Sequence, residues 1–288
     1  MILLTGKEVA TSVYKEIEEQ MSLFTTHPPT LAVILVGNDP ASLAYVSSKK
    51  KMAESLNFGH KDIFFKEDIS EEQIIHTIKE LNEDEEVDGI LVQLPLPKGI
   101  DESNIINAID PDKDVDGLHP VNIGKILREE DGFIPCTPFG IIKMLEYYNI
   151  EVSGKHVVVI GRSVLVGKSI ALLLVQKHTD ATVTITHSKT KDLSSITKQA
   201  DIIIAAVGKP HMVTRDMVKN GAVVIDVGIN RVEDKTKIKG YRLTGDVDFD
   251  AVSPICEAIT PVPRGVGVMT IAMLMYNTYK AALKRIRK

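Results

Sequence analysis

The chain has 288 residues, of which 44% are hydrophobic and 25% charged, an ordinary globular composition long enough for two domains with their own cores. A formal net charge of −5 offers no basic footprint, so no nucleic-acid partner is expected. No apolar run reaches the ~18 residues of a membrane span, Lys7 and Glu8 interrupt the apolar start too early for a signal peptide, and Cys136 and Cys256 form no CxxC motif, so a cytoplasmic protein with no membrane partner is expected.

Residues 7–22 carry a helical pattern, and 30–37 read as a buried strand that ends in Gly37. Asp39 as N-cap and Pro40 at the first helical position open a helix over 41–56. One stripe of that helix is Ser42, Tyr45, Val46, Lys49, Met52, Ala53 and Leu56. Lys49 thus falls within the apolar face, one turn from Tyr45. It is either a packed stem whose ammonium reaches water or a buried functional lysine. Lys50 and Lys51 point elsewhere, to solvent. A helix over 71–82 carries His76 as a surface residue. The strand 87–92 delivers Gln93 and then Leu94-Pro95-Leu96-Pro97. Gly37 and Gln93 both stand at carboxyl ends of strands, where open α/β sheets hold their ligands. After a short helix at 102–109, the run Asp110-Pro111-Asp112-Lys113-Asp114-Val115-Asp116-Gly117 reads as a turn rich in Asp and Gly. No His or Glu joins it at ligand spacing, so no metal is expected.

Phe133-Ile134-Pro135-Cys136-Thr137-Pro138 reads as a crossover between domains, with Thr137 capping a helix over 139–149. Next, His156-Val157-Val158-Val159-Ile160 reads as a strand buried on both faces, Gly161 and Gly167 bracket a tight turn, and an apolar helix follows. This is either an ordinary βα turn or one that brings backbone N–H groups close to a phosphate. The spacing is not G-x-G-x-x-G. A second strand, 182–186, runs into His187-Ser188-Lys189-Thr190, with no carboxylate to hold ribose hydroxyls. Arg162 and these hydroxyl and cationic groups suit a 2′-phosphate, which leans the cofactor towards NADP. Strands over 201–206 and 222–226 complete a βαβαβ-like dinucleotide fold. A long helix from 268 to 287 is apolar first and basic last, which complements its dipole, and it is free to pack on the first domain.

The motifs Tyr45-Val46-x-x-Lys49, Gln93-Leu94-Pro95-Leu96-Pro97, Lys113-Asp114-Val115-Asp116-Gly117, Pro135-Cys136-Thr137-Pro138, Gly161-Arg162-Ser163-x-x-Val166-Gly167, Asp226-Val227-Gly228-Ile229-Asn230, Gly245-Asp246-Val247 and Thr260-Pro261-Val262-Pro263 occur in this order. In them the chain resembles the bifunctional methylenetetrahydrofolate dehydrogenase/methenyltetrahydrofolate cyclohydrolase family along essentially its full length. The resemblance implies an α/β fold of two domains. An N-terminal folate and catalytic domain would take 1–138, a Rossmann-like NADP domain 139–267, and the C-terminal helix 268–288 would return to the first. It implies NADP-dependent oxidation of 5,10-methylenetetrahydrofolate, then hydrolysis to 10-formyltetrahydrofolate, in one-carbon metabolism and purine biosynthesis. Lys49 would be the catalytic lysine, with Tyr45 stacked on the folate, Gln93 hydrogen-bonded near Lys49, and Asp116 on the pterin. Gly161, Arg162, Ser163, Gly167, Ser188 and Ile229 would line the cofactor site, and Pro263 and Gly267 would meet the substrate, held between the domains. Tetrahydrofolate derivatives are the implied ligands, and a homodimer through the nucleotide domain the implied assembly.

The chain also departs from the family. Where the last loop usually reads Pro-Gly-Gly-Val-Gly-Pro-Met-Thr, this one reads Pro263-Arg264-Gly265-Val266-Gly267-Val268-Met269-Thr270. Arg264 would be strained at positive φ, or would be a further phosphate contact. Ser169 stands where a proline often follows the second glycine. A cis peptide is expected before Pro95 or Pro263, each in a Pro-dense loop. Two rivals remain: an NADP dehydrogenase for an amino or hydroxy acid, against which Tyr45, Lys49, Gln93 and Asp116 argue, and a non-catalytic NADP sensor, towards which only Arg264 points.

Overall fold

A computed structural model of the chain describes residues 1–25, 27–237 and 240–286. In chain order its elements are β1 (Ile2–Leu3), α1 (Gly6–Gln20), β2 (Thr30–Val36), α2 (Pro40–Ser55), β3 (Gly59–Phe65), α3 (Glu71–Glu83), β4 (Gly89–Val92), α4 (Glu102–Ala108), α5 (Pro120–Leu127) and α6 (Cys136–Tyr147). Then come β5 (His156–Ile160), α7 (Ser169–Leu174), β6 (Thr182–Thr186), α8 (Leu193–Thr197), β7 (Ile202–Ala205), β8 (Val223–Asp226), β9 (Asn230–Glu233), β10 (Tyr241–Thr244), α9 (Phe249–Val252), β11 (Ala258–Ile259) and α10 (Val266–Ile286). The chain divides into two compact units, one of residues 12–136 with the helix from 271 onward, the other of residues 1–11 and 137–270.

In the first unit β2 is central, flanked by β3 and β4 in a parallel sheet. All seven residues of β2 are buried, as expected of a parallel strand covered on both faces. Its side chains Ala32, Ile34 and Val36 pack with Ile74 and Ile78 of α3 and Ile90 and Val92 of β4. Asp39 caps α2 by accepting from the Ser42 N–H at 2.8 Å, with Pro40 at its start. β3 was not anticipated: its Gly-His-Lys-Asp-Ile-Phe-Phe sequence is half-exposed throughout, so it lacks the apolar run that marks β2. α5, opened by His119 and Pro120, was not anticipated either.

The second unit holds a six-stranded sheet in the order β1-β11-β8-β7-β5-β6, with every pairing parallel. β5, β6, β7 and β8 are the strands the βαβαβ pattern predicts, and Val158, Ile160, Ile203, Ala205 and Val224 form its core. β1 pairs with β11 in the register Ile2↔Ala258 and Leu3↔Ile259. Residues 1–11 therefore fall in this compact unit, whereas the sequence reading starts the N-terminal domain at residue 1. Two ladder residues whose partner lies some 250 positions away leave no local signal. β9 and β10 form an antiparallel hairpin, also unanticipated.

Two helix boundaries differ from expectation. α6 begins at Cys136, so Thr137 lies inside its first turn and is not the cap, and Pro138 falls where a missing N–H costs nothing. Thr137 instead shares a hydroxyl contact of 3.1 Å with Thr270. α10 begins at Val266, and its residues to 270 belong to the second unit. The expected ends at 287 and 288 lie outside the described residues.

Candidate active site

The stripe of α2 turns Ser42, Val46, Lys49 and Ala53 inward. Lys49 is only 6% exposed, and its Nζ donates to Gln93 Oε1 at 2.7 Å. Lys50, by contrast, is a surface residue paired with Asp62 at 3.2 Å, and Lys51 is exposed. Gln93 follows β4 directly, and its Nε2 donates to the Leu94 carbonyl at 2.7 Å. A carbonyl can only accept and an ammonium only donate, so these two partners fix the amide's orientation. The Leu94-Pro95 and Val262-Pro263 peptides are both cis, where one of the two was expected. Tyr45 lies one turn before Lys49, with the ammonium 5.9 Å from its ring centroid. At 37% exposed, the ring offers a free face.

Burial pushes the Lys49 ammonium below the ordinary lysine range, and the negative potential of Asp116 and Cys136 opposes this only in part. Asp116 is shifted up, because desolvation outweighs the help of Lys49. Burial also drives the Cys136 thiol well up, with Asp116 adding to the rise. The site is thus a desolvated lysine, carboxyl and thiol, each biased towards its neutral form.

The Asp116 turn is built from below by Asp114. Its carboxylate is buried and accepts from the backbone N–H groups of Gly117 (3.1 Å), Leu118 (3.2 Å) and His119 (2.8 Å) and from Asn122 Nδ2 (2.9 Å). Gly117 has φ +75, and a Cβ there would lie 2.5 Å from the Ile134 carbonyl carbon, so only glycine fits. Asp114 and Cys136 went unassigned at the level of sequence. The Asp-rich turn hinted at the first, and nothing local marks the second.

In the second unit, β5 ends at Gly161, with φ +124 and a would-be Cβ 2.2 Å from the Ala206 carbonyl oxygen. At Gly167 a Cβ would lie 2.3 Å from the Gly161 oxygen. The turn between them is therefore closed backbone on backbone. Ser163 caps its π-helical segment, Val164–Lys168, by accepting from the N–H groups of Val166 (3.2 Å) and Gly167 (3.5 Å), and its own hydroxyl proton stays available to a ligand. Ser169 is fully buried and donates to the Val164 carbonyl, which gives the serine a structural use. Arg162 and Ser188 are exposed. Ile229 is 46% exposed, and its Cδ1 would meet a Cβ on Gly267 at 2.9 Å, so these two candidates are neighbours. Pro263 and Arg264 are exposed, and Arg264 has φ +87.

The motifs around Asp226 and Asp246 form a buried hub. Asp226 accepts from the N–H groups of Gly228, Asp246 and Val247 at 2.9–3.0 Å. Asp246 accepts from Val207 (2.7 Å), Gly208 (3.0 Å), Lys209 (2.8 Å) and Asn230 Nδ2 (2.9 Å). Burial raises Asp226 to about 6. The hub ties the β7 and β8 ends to the segment that carries Ile229.

A glycine-closed βα turn on a parallel sheet, in a chain whose other unit carries a desolvated lysine behind an open tyrosine ring, defines an α/β enzyme of the dinucleotide-binding class. The model of the tetrahydrofolate dehydrogenase/cyclohydrolase catalytic domain matches residues 4–116, and that of its NAD(P)-binding domain residues 135–286. The chain belongs to the tetrahydrofolate dehydrogenase/cyclohydrolase family. The bifunctional protein FolD of Flavobacterium johnsoniae is 52% identical over 100% of this chain and 99% of its own. Among solved structures, the bifunctional methylenetetrahydrofolate dehydrogenase/cyclohydrolase FolD of Campylobacter jejuni superposes with a TM-score of 0.94 at 45% identity, covering 99% of both chains. The Trypanosoma brucei methylenetetrahydrofolate dehydrogenase-cyclohydrolase, complexed with NADP cofactor and an inhibitor, gives 0.95 at 37% identity over 100% of this chain and 99% of that one.

Proposed function

We propose that the chain oxidises 5,10-methylenetetrahydrofolate with NADP⁺ and hydrolyses the methenyl product to 10-formyltetrahydrofolate, with both steps centred on Lys49. The observation that carries this reading is the desolvated Lys49, hydrogen-bonded to Gln93 at 2.7 Å behind the open Tyr45 ring. Tyr45 stacks on the folate, and the Asp116 carboxyl accepts the adjacent N–H donors of the pterin edge. Pro263 and Gly267 contact the substrate.

In the first step the bridging carbon loses a hydride and becomes an amidinium cation. Bound NADP⁺ supplies the acceptor for that hydride. The residues of the chain supply orientation and exclude water. In the second step water adds to the cationic carbon, the bond from that carbon to N5 breaks, N10 keeps the formyl group, and one proton is released. A neutral Lys49 takes a proton from the water, or holds the water for attack. The nearby cation favours the neutral amine further, and Gln93 holds the nitrogen in place.

The residues of the second unit fit NADP. Gly161 and Gly167 let backbone approach a pyrophosphate, and Ser163 adds a hydroxyl. Arg162 and Ser188 are exposed, and β6 runs out into His187-Ser188-Lys189 with no carboxylate, which suits a 2′-phosphate. Ile229 lines the same site. The assay is steady-state methenyl formation with NADP⁺ and with NAD⁺, followed by the decay of the methenyl absorbance. No turnover of the folate would remove the reading, and equal efficiency with both cofactors would remove the NADP preference.

The finer setting follows the family resemblance: a homodimer joined through the nucleotide-binding unit, working in the cytoplasm on one-carbon units for purine biosynthesis. Cys136 and Cys256 are free and buried, which suits a reducing compartment. No helix among the described residues is long and apolar enough to cross a membrane. Sedimentation at micromolar concentration checks the dimer.

A further inference from the structure

Asn277 lies in α10 and is 1% exposed. Its Nδ2 donates to the carbonyls of Val115 at 2.9 Å and Ile134 at 3.0 Å and lies 3.8 Å from Cys136 Sγ. Two carbonyls can only accept, so the amide nitrogen must face them, and both its hydrogens are committed. The two carbonyls belong to segments that converge on Asp116. Val115 directly precedes it. Ile134 leads into Pro135 and Cys136, whose thiol donates to the same Val115 carbonyl at 3.4 Å. The segments touch backbone to backbone, since a Cβ on Gly117 would lie 2.5 Å from the Ile134 carbonyl carbon and 2.6 Å from Pro135 N. Asp114 organises the N–H side of this turn. Asn277 organises its carbonyl side, from a helix more than 130 residues further along the chain.

We propose that Asn277 is a positioning residue for the folate reaction, holding the Val115 and Ile134 backbone so that Asp116 presents its carboxyl to the pterin while staying within the electrostatic reach of Lys49. The proposal rests on the reading of Asp116 as the pterin contact. Without Asn277 the Ile134 carbonyl loses its donor and the Val115 carbonyl keeps only the weak Cys136 thiol, the two segments are free to part, and Asp116 moves with Val115. Asp116 raises the Lys49 pKa, so a displaced carboxyl lets Lys49 lose its proton at lower pH.

The test compares Asn277→Ala and Asn277→Ser with Asp116→Asn and with Thr278→Val. Thr278 is buried beside Asn277, and its hydroxyl donates to Leu274 of the same helix. For the Asn277 variants we expect the KM for the folate to rise about tenfold, the worth of about one hydrogen bond, with NADP⁺ affinity within twofold of the parent. The rising limb of the cyclohydrolase pH profile should move to lower pH. Thr278→Val should melt earlier with parental KM and pH profile. Should Asn277→Ala fail to fold, Asn277→Ser decides by the same criteria. If Asp116→Asn raises the folate KM and the Asn277 variants only melt earlier, Asn277 is structural and the positioning role is overturned. If Asp116→Asn itself leaves the folate KM unchanged, the reading of Asp116 falls and the proposal falls with it.

Discussion

In the unit of residues 12–136 the candidate site is made of side chains. Lys49, Asp116 and Cys136 lean towards their neutral forms in a desolvated cluster, with Gln93 hydrogen-bonded to the lysine. In the unit of residues 137–270 it is made of backbone, with Gly161 and Gly167 closing a turn that has no room for a Cβ and Asp226 and Asp246 engaged with backbone N–H groups. Chemistry that moves protons needs groups with shifted pKa values, whereas holding a phosphate needs only fixed N–H groups and an exposed cation. A substitution in the first site should therefore change the reaction and spare the fold. In the second it should change the shape, and binding with it.

The largest effect is expected at Lys49. Lys49→Met should cut cyclohydrolase activity by ~100- to 10,000-fold, the usual worth of general acid–base catalysis, and should depress the dehydrogenase too, because the hydrogen bond to Gln93 goes. Lys49→Arg keeps a cation that cannot become neutral near pH 7, and should harm the cyclohydrolase more than the dehydrogenase. The parental cyclohydrolase rate should rise with pH along a limb centred below the ordinary lysine range, because burial lowers this pKa. The folded pKa lies below the unfolded one, so the unfolded chain binds more protons between the two values, and stability rises with pH across that window. At neutral pH the buried ammonium is thus a cost, and Lys49→Met should melt no earlier than the parent. Lys50→Met is the surface control. A Lys49→Met protein that kept its cyclohydrolase rate, or that lost activity only by unfolding, would break the contrast between the sites.

Gly161→Ala tests the other half. At φ +124, with the Ala206 oxygen 2.2 Å from the new Cβ, the turn must open. Backbone strain alone costs on the order of 1–3 kcal/mol, and NADP⁺ binding should be lost while the protein melts several degrees earlier. Isothermal titration with NADP⁺ and a melting curve measure both. Unchanged affinity would mean that the turn is an ordinary βα connection.

How far each site was legible in the sequence follows from the same difference. Buried parallel strands announce themselves by continuous apolar runs, so β2, β4, β5, β7 and β8 were readable. β3 and the β9–β10 hairpin are half-exposed and mixed in composition, and β1 depends on a partner near residue 258, so none of these carries a local pattern. Lys49 was legible because helical periodicity alone set it on the inner face of α2. Asp114 and Asn277 were not, because their roles lie in which distant backbone groups they meet, and periodicity says nothing about that. The strand–glycine–helix pattern located the turn of Arg162, but only geometry explains Ser169.

Arg162→Ala should cost about 1.5–3 kcal/mol if the guanidinium meets a phosphate, or roughly tenfold or more in NADP⁺ affinity, and should leave NAD⁺ use and melting temperature as they are. Loss of both cofactors to the same degree would place Arg162 at the pyrophosphate instead of the 2′-phosphate.

The smallest effect is expected at Arg264, in the last loop before α10. With φ +87, a residue with a Cβ is held in a region that favours glycine, at a cost of about 1 kcal/mol. Its carbonyl accepts from the Gly6 N–H at 2.8 Å, so the loop conformation is tied to the start of α1 and a glycine would keep it. Arg264→Gly releases that strain but also frees the unfolded chain, which costs ~0.4–1 kcal/mol in the other direction. The two nearly cancel, and the melting temperature should move by no more than ~2–4 °C. Cofactor affinity then discriminates between the two roles open to this side chain. Unchanged NADP⁺ affinity means that the arginine is a tolerated strain in an exposed loop. A tenfold loss would make it a phosphate contact, and a second site in this unit where a side chain, and not the backbone, does the binding.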